Sequence, residues 1–391
     1  MGPLAGIKVL DLSRVLAGPW ASQIFADLGA EVIKIERPGA GDDTRAWGPP
    51  FAKNGVSAYF CAANRGKRSV TVDMASPEGL EIIRTLAKQA DVVLENFKVG
   101  GLKKLGLDYA ALSALNSRLV YCSITGFGQS GPYAHRAGYD FLMQGMGGLM
   151  SVTGVPDGEP MKAGVAVVDV FTGLYASTAV LAALVERTKS GVGQYIDLAL
   201  FDVQIVTMAN QISSYLISGD QPQRLGNAHP TIVPYQVFGT RDGHLILAVG
   251  NDEQFAKLCR LAGREEISAD ARFAKNPDRV KNRAVLVPIL EDVLRTRTTK
   301  DWCAGLEEFG VPGGPINDFL DLDDDPQVVA RGVFNDLGEG VRAVANPMKF
   351  SRTAADDKRL PPKLGADTDE VLAGLGILAE EIAALRAKGV V

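Results

Sequence analysis

Three consecutive segments near the start of the chain, GIKVLDLS, WASQIFADLGA and EVIKIERP, switch their apolar spacing from alternation to a helical period and back. A strand, a helix and a second strand within about 30 residues form a right-handed βαβ unit, which makes the two strands parallel neighbours in one sheet. The pattern continues through PEGLEIIRTLAKQA (helix), DVVLEN (strand), DYAALSALN (helix) and RLVYCSIT (strand), with Gly29 closing the first helix and Pro77 at a favourable helix start. The expected fold class is α/β, an open parallel sheet with helices on its faces. Ligands then belong at the carboxyl ends of the strands.

A chain of 391 residues is too long for one ordinary core, so more than one domain is expected. Residues 1–224 read as the large domain. The texture changes after NAHPTIVPYQVF: GHLILAVGN is a strand, and DEQFAKLCRLAG, NRAVLVPILEDVL and TTKDWCAGLEEFG are helical. Residues 225–330 therefore read as a smaller α+β domain, and 331–391 as a C-terminal segment. The last stretch, DEVLAGLGILAEEIAALRAKGVV, reads as one amphipathic docking helix.

Charge and composition exclude several classes of function. A net charge of −5 provides no broad attraction to nucleic acid or to an anionic membrane, and neither partner is expected. No apolar run reaches the roughly 18 residues that span a bilayer. The opening MGPLAGIKVLDLS lacks a basic region leading into a long apolar core, so a cytoplasmic protein is expected. Cys61, Cys122, Cys259 and Cys303 are scattered without a CxxC pair, which fits reduced thiols and no zinc site. The acidic run at 321–325 lacks calcium-loop spacing and reads as a solvated helix start, so no metal site is expected. With only three histidines, nucleophilic or acid–base work falls on carboxylates, tyrosines or lysines.

Two motifs sit where chemistry is expected. TGFGQSGPYAHRAGYD contains G-x-G-x-x-G at Gly126, Gly128 and Gly131, but Pro132 and Tyr133 do not continue as a helix, and the first βα turn lacks the fingerprint. The loop reads instead as one approached closely by a ligand or by backbone. In KAGVAVVDVFTGLYAS a single carboxylate, Asp169, opens a small-residue helix that runs to Gly191. As a plain N-cap it would be worth about 1 kcal/mol. The positive helix end would also keep it ionised, as a nucleophile requires, so both readings stand. Arg37 and Lys104 lie at strand ends where cations meet phosphates, or are merely solvated.

The blocks GIKVLDLSRVLAGPWASQIFADLGAEVIKIERPGAGDDTR, NRGKRSVTVDM, ADVVLENFKVGGLKKLGL, YCSITGFGQSGPYAHRAGYD and AGVAVVDVFTGLYASTAVLAALVERTKSGVGQYIDLALFD together resemble the family III CoA-transferases. That group includes formyl-CoA transferase, the carnitine CoA-transferases and, as a divergent branch, α-methylacyl-CoA racemase. VPYQVFGTRDG, GNDEQFAKLC and GVPGGPIND are most similar to the succinate–hydroxymethylglutarate (glutarate) type. The resemblance implies a large Rossmann-like domain that the C-terminal segment rejoins, a smaller domain, and two protomers interlocked in a homodimer. It implies that Asp169 is the nucleophile, forming a mixed anhydride and then an aspartyl-CoA thioester. Coenzyme A and acyl-CoA are then substrates, and no cofactor is permanently bound.

The resemblance also implies a CoA site made by Leu16 and Ala17, Arg37, Val72, Asp73, Met74 and Ala75, then Asn96, Phe97 and Lys98, with Lys104 where formyl-CoA transferases carry arginine. Ala137, Gly138, Tyr139 and Asp140 correspond to the stretch beside the pantetheine. Departures from the family patterns narrow the substrate. Leu16 replaces the glutamine of formyl-CoA transferases, and AVGNDEQF, with Gly250, replaces their glycine run. Tyr139 replaces the racemase histidine, which removes one of the two bases a racemase needs. A dicarboxylate acceptor needs a cation for its distal carboxylate, for which Arg14, Arg45 and His229 are the candidates. The expected activity moves CoA from an acyl-CoA such as succinyl-CoA to a free carboxylic acid such as glutarate. The alternatives are an acyl-CoA racemase or isomerase, a non-catalytic CoA-binding protein, and a nicotinamide dehydrogenase using GFGQSG.

Overall fold

The computed structural model describes residues 2–391. Its elements run β1 (Lys8–Asp11), α1 (Ala17–Asp27), β2 (Glu31–Glu36), α2 (Ala58–Ala63), β3 (Arg68–Thr71), α3 (Pro77–Gln89), β4 (Val92–Glu95), α4 (Tyr109–Leu115) and β5 (Val120–Thr125). Then come α5 (Asp140–Met146), α6 (Leu149–Val152), α7 (Val167–Ser190), β6 (Tyr195–Ala199), α8 (Leu200–Thr207) and α9 (Ala209–Ser218). The six strands form one parallel sheet in the order β3-β2-β1-β4-β5-β6. The order reverses between β1 and β4, and that reversal opens a crevice at their carboxyl ends.

Alternate residues along each strand feed opposite faces of the sheet. On one face Leu10, Ile35, Val70, Val93 and Tyr121 meet Ile82, Ile83 and Leu86 of α3. On the other, Val9, Val32, Val92, Leu94 and Val120 meet Ala21 and Phe25 of α1 and Ala176, Val180 and Ala183 of α7. The small residues of α7 allow this closeness: a Cβ on Gly173 would stand 2.8 Å from the Ala17 carbonyl oxygen and as close to Trp20. α7 also amends the membrane expectation. At 24 residues it is long and apolar enough to cross a bilayer by length and composition, yet 44% of its most apolar window is buried in this fold.

The chain divides into two compact units. One comprises the chain up to Leu149 with Lys162–Ser218 and Gln327–Val391, and the other Met150–Met161 with Gly219–Pro326. The second unit thus begins and ends a few residues earlier than the expected 225–330, and it recruits 150–161 from the region assigned to the large domain. Local bonding explains the excursion. The Arg224 guanidinium donates to the carbonyls of Val155, Pro156 and Gly158, and the Gly226 N–H to that of Gly154.

The second unit holds an antiparallel sheet of β7 (Tyr235–Gly239), β8 (His244–Ala248) and β9 (Gly313–Pro315) in that order. It packs with α10 (Asp252–Leu261), α11 (Glu265–Ala269), α12 (Asn276–Lys281), α13 (Arg283–Leu294) and α14 (Thr299–Phe309) around Phe238, Phe255, Leu290 and Trp302. The acidic run lies in α15 (Phe319–Asp324), where Asp318 and Asp321 close a capping box, as a solvated helix start should.

The chain then runs through α16 (Pro326–Arg331), the hairpin β10 (Phe334–Asp336) and β11 (Arg342–Val344), α17 (Thr368–Gly374) and α18 (Ala379–Ala387). The single terminal helix expected from the sequence is therefore two. Gly376, at φ +86, ends the first, because its left-handed backbone cannot continue a right-handed helix. Val371, Leu372, Ile382, Val390 and Val391 join the α3 side of the core.

Candidate functional site

Asp169 stands at the third position of α7, so it is not the N-cap that the sequence suggests. The N-cap is Ala166, which has no side-chain acceptor. Asp140, the first residue of α5, fills that role from 28 residues upstream. One of its carboxylate oxygens accepts from the Val168 N–H at 2.8 Å and from the Asp169 N–H at 3.3 Å. Its other oxygen accepts from Gln144 Nε2 at 2.6 Å, and Gln144 Oε1 takes the Ala163 N–H at 2.8 Å. The segment leading into α7 is thereby fastened to α5.

The surroundings also change the electrostatic expectation. Burial, and after it the negative charge of Asp140, push the Asp169 carboxyl up to about 7. The helix end alone does not keep it ionised. Tyr59 on α2 is a member of the site that the sequence reading missed. Burial, then Asp169 and Asp140, raise its phenol above the usual range, so a neutral hydroxyl lies within electrostatic reach of both carboxylates. Its ring stands edge-on to Trp47 at 5.1 Å.

The turn after β1 is pinned residue by residue from a buried ionic cluster. Lys34, fully buried on β2, pairs with Asp42 at 2.9 Å and donates to the Ser13 carbonyl at 2.8 Å. Asp11 at the end of β1 accepts from the Ser13 and Ser22 hydroxyls and from Lys67. Arg14 is clasped by Asn96, which accepts from its N–H at 2.9 Å and donates to its carbonyl at 2.7 Å. Val15 follows at φ +69, a conformation that costs a β-branched residue about 1–3 kcal/mol. The Asp42 carboxylate, 3.2 Å from the Val15 N–H, holds it there. Burial opposes every charge in this cluster. On Lys34 the charges of Asp11, Asp42 and Glu36 win and hold the ammonium above its ordinary range, whereas burial takes Lys67 down to about 8.

Most residues expected around CoA lie along the carboxyl edge of the parallel sheet. Leu16 and Ala17 form the buried start of α1. Arg14, Arg37, Met74 and Phe97 line one narrow cleft together with Leu12, Ile35 and Asp42. Arg37 pairs with Asp43 at 2.5 Å, and the Arg14 guanidinium lies 5.2 Å from the Phe97 ring centre. Val72, Asp73 and Ala75 occupy the turn after β3, where the Asp73 carboxylate takes the Ala75 N–H. Lys98 follows Phe97, and Lys104 is exposed on a short 3-10 turn. Asn96 departs from expectation, because its side-chain amide is spent on the Arg14 backbone.

Ala137 and Tyr139 are exposed just before α5. Gly138 lies against Gly126, where an added Cβ would meet the Gly126 Cα at 2.5 Å. The glycine-rich loop is thus shaped by backbone packing and carries no dinucleotide fingerprint. Arg45 is overturned as a free cation for an acceptor. It forks onto Glu36 at 2.8 and 2.7 Å, donates to the Pro362 carbonyl and covers the Phe60 ring. His229 and Gly250 belong to the second unit. There His229 Nδ1 accepts from the Thr231 N–H, and the Gly250 N–H donates to Gln254.

The parallel sheet with helices packed on both faces, and a desolvated carboxylate in the first turn of α7 beside it, define an α/β protein with a candidate site at that helix start. More specifically, the chain belongs to CoA-transferase family III, whose model matches residues 4–368. It is 53% identical over 382 residues to the succinate–glutarate CoA-transferase of Agrobacterium fabrum, covering 95% of this chain and 96% of that one. It is 42% identical over 374 residues to the human succinyl-CoA:glutarate CoA-transferase, covering 95% of this chain and 85% of the relative. A CaiB/BaiF family protein from Brucella suis superposes with a TM-score of 0.87 at 51% identity, over 96% of this chain and 99% of that structure.

Proposed function

We propose that this enzyme moves CoA from succinyl-CoA to glutarate, with Asp169 as the covalent nucleophile. The observation that carries the chemistry is the half-buried carboxylate of Asp169, fixed at a helix start. The names and high identities of the relatives support the substrate pair. An Asp169 oxygen attacks the thioester carbonyl, the C–S bond breaks, and CoA leaves as thiolate from a succinyl–aspartyl anhydride. The thiolate then attacks the aspartyl carbonyl, which releases succinate and leaves an aspartyl-CoA thioester. A glutarate carboxylate attacks that thioester, and the thiolate returns to the glutaryl carbonyl, so that glutaryl-CoA forms and the Asp169 carboxylate is regenerated. Two easier exchanges replace one hard one, and the thioester's free energy is conserved throughout. Incubation with succinyl-CoA and a panel of acids (glutarate, hydroxymethylglutarate, malate, oxalate, carnitine), with CoA esters separated by mass, tests the pair. Glutaryl-CoA as the fastest-formed ester supports it, and an ester of another acid formed faster replaces the acceptor.

CoA enters this reading along the sheet edge, with Arg37 on a phosphate once Asp43 yields it. Arg37→Ala is expected to raise the CoA dissociation constant by roughly tenfold, with the apparent affinity for glutarate unchanged. An unchanged CoA affinity in calorimetry removes Arg37 from the site. A second copy of the chain completes the proposal. Phe171, Leu174 and Tyr175 of α7, and Leu216 and Ile217 of α9, are exposed apolar side chains that a partner would cover. Light scattering should give twice the 41.5 kDa chain mass, and a monomer at micromolar concentration rejects it.

A further inference from the structure

We infer that Asp140 is the positioning residue of the nucleophile: its carboxylate replaces the missing side-chain cap of α7, fixes where Asp169 stands, and sets a like charge beside it. The inference rests on the reading of Asp169 as nucleophile. Three observations converge on it. The N-cap residue Ala166 has no acceptor, and Asp140 takes the N–H groups of both Val168 and Asp169. Gln144 holds the opposite oxygen of Asp140 at 2.6 Å, so the carboxylate is aimed from behind and cannot swing away without breaking that bond. Asp140 acts on Asp169, and both act on Tyr59 from α2. Of the other elements packed on α7, α1 brings no charged side chain before Asp27, which Arg65 neutralises, and Asp202 of α8 and Asp197 of β6 are not among the charges acting on Asp169.

A cap alone does not need a carboxylate. Asparagine, serine or threonine satisfies the same donors. What the charge adds is repulsion that exists only while Asp169 is free. Once the Asp169 oxygen bonds to an acyl carbon, the side chain becomes a neutral anhydride or thioester and the repulsion disappears. Asp140 therefore raises the free energy of the unacylated carboxylate relative to each covalent intermediate and to the transition states between them. It also makes Asp169 a stronger base, hence a better nucleophile once deprotonated, at the expense of its ionised fraction below neutral pH.

Asp140→Asn keeps an oxygen for the Val168 N–H and removes the charge, whereas Asp140→Ala removes both. With the native residue, kcat/KM for succinyl-CoA should rise with pH through about 7, because only the Asp169 carboxylate attacks. In Asp140→Asn the midpoint should move down by about one pH unit, and the plateau should fall about threefold. Asp140→Ala should lose about tenfold in kcat as the helix start loosens, with KM for succinyl-CoA within about twofold. An unmoved midpoint in Asp140→Asn overturns the inference, as does a rise in KM alone, which would make Asp140 a CoA contact.

A second readout needs no catalysis. A carboxyl whose proton is held more tightly folded than unfolded contributes stability that declines as pH rises from about 4 to about 7. The difference in unfolding free energy between the parent protein and Asp169→Asn should follow that curve, and in the Asp140→Asn background the decline should end at lower pH. If Asp169→Asn still transfers CoA, the nucleophile reading fails while these stability curves still report whether Asp140 acts on Asp169. If transfer is lost and the curves coincide in both backgrounds, the role given to Asp140 fails alone.

Discussion

Replacing Asp169 by Asn removes CoA transfer, lowering turnover by about 10⁴-fold or more, because the amide can neither form the anhydride nor carry CoA as a thioester. CoA binding should persist, since the sheet-edge residues on which it depends are untouched. The folded protein should also become more stable above neutral pH, for the substitution deletes a charge that burial and Asp140 both disfavour. Loss of turnover together with a gain in stability distinguishes a nucleophile from a structural cap, whose removal costs both. Turnover is read by separating glutaryl-CoA from succinyl-CoA, and stability by urea unfolding at pH 8. An Asp169→Asn protein that keeps its turnover removes the residue from the mechanism.

The second large effect is expected far from any substrate atom. Lys34→Met leaves Asp42 buried without its counter-ion and Asp11 with Lys67 alone, and breaking such a pair costs about 3–5 kcal/mol. Burial raises the cost of both carboxylates, while Lys34 with Lys67 on Asp11, and Lys34 on Asp42, hold them ionised below their ordinary range. Their native contribution to stability is therefore present above about pH 4 and is lost as pH falls. In Lys34→Met the deficit relative to the parent should shrink on acidification, because protonating the orphaned Asp42 carboxylate removes the uncompensated charge. CoA affinity should fall as well, since Lys34 and Asp42 hold Ser13 and the strained Val15 in the turn before α1. A deficit that is independent of pH would mean that Lys34 contributes packing and not charge.

These two residues also mark what the sequence reveals and what it hides. The βαβ alternation, the parallel sheet and the long helix ending at Gly191 were legible because each rests on local periodicity and on single turn residues. Asp169 stood out as a lone carboxylate in a small-residue run, and its reading as a nucleophile came from the family resemblance of that block. Its surroundings were hidden, because Asp140 caps α7 across 28 positions of sequence, and no local pattern signals a cap borrowed from another helix. Nothing in the local pattern of EVIKIERP marks Lys34 as buried. A central parallel strand, however, is covered on both faces, so that lysine must find buried partners, and it does so in Asp42 and the Ser13 carbonyl. The same rule, applied to Asp11, Lys34 and Glu36 together, could have signalled an ionic cluster behind the first turn.

Other differences have the same origin. β3 is a short, polar RSVT strand that hydropathy does not single out. Arg45 seemed a free cation until folding brought Glu36 and Pro362 to it. The 150–161 excursion depends on carbonyl groups that Arg224 gathers about 70 residues downstream. Tyr59 comes within electrostatic reach of Asp169 and Asp140 only through the fold, and a lone tyrosine in SAYFCAAN carries no local mark of that.

The most direct test of covalent catalysis at Asp169 is the mass of its own peptide. The enzyme is mixed with succinyl-CoA alone, quenched in acid and digested with trypsin, which releases the segment from Ala163 to Arg187, whose acidic side chains are Asp169 and Glu186. The predicted result is that segment heavier by CoA less one water, with fragmentation placing the addition on Asp169. The signal should disappear when glutarate is added before the quench, as glutaryl-CoA appears. Glutaryl-CoA formed at full rate with no adduct on this segment, or with the adduct on another residue, would contradict the mechanism.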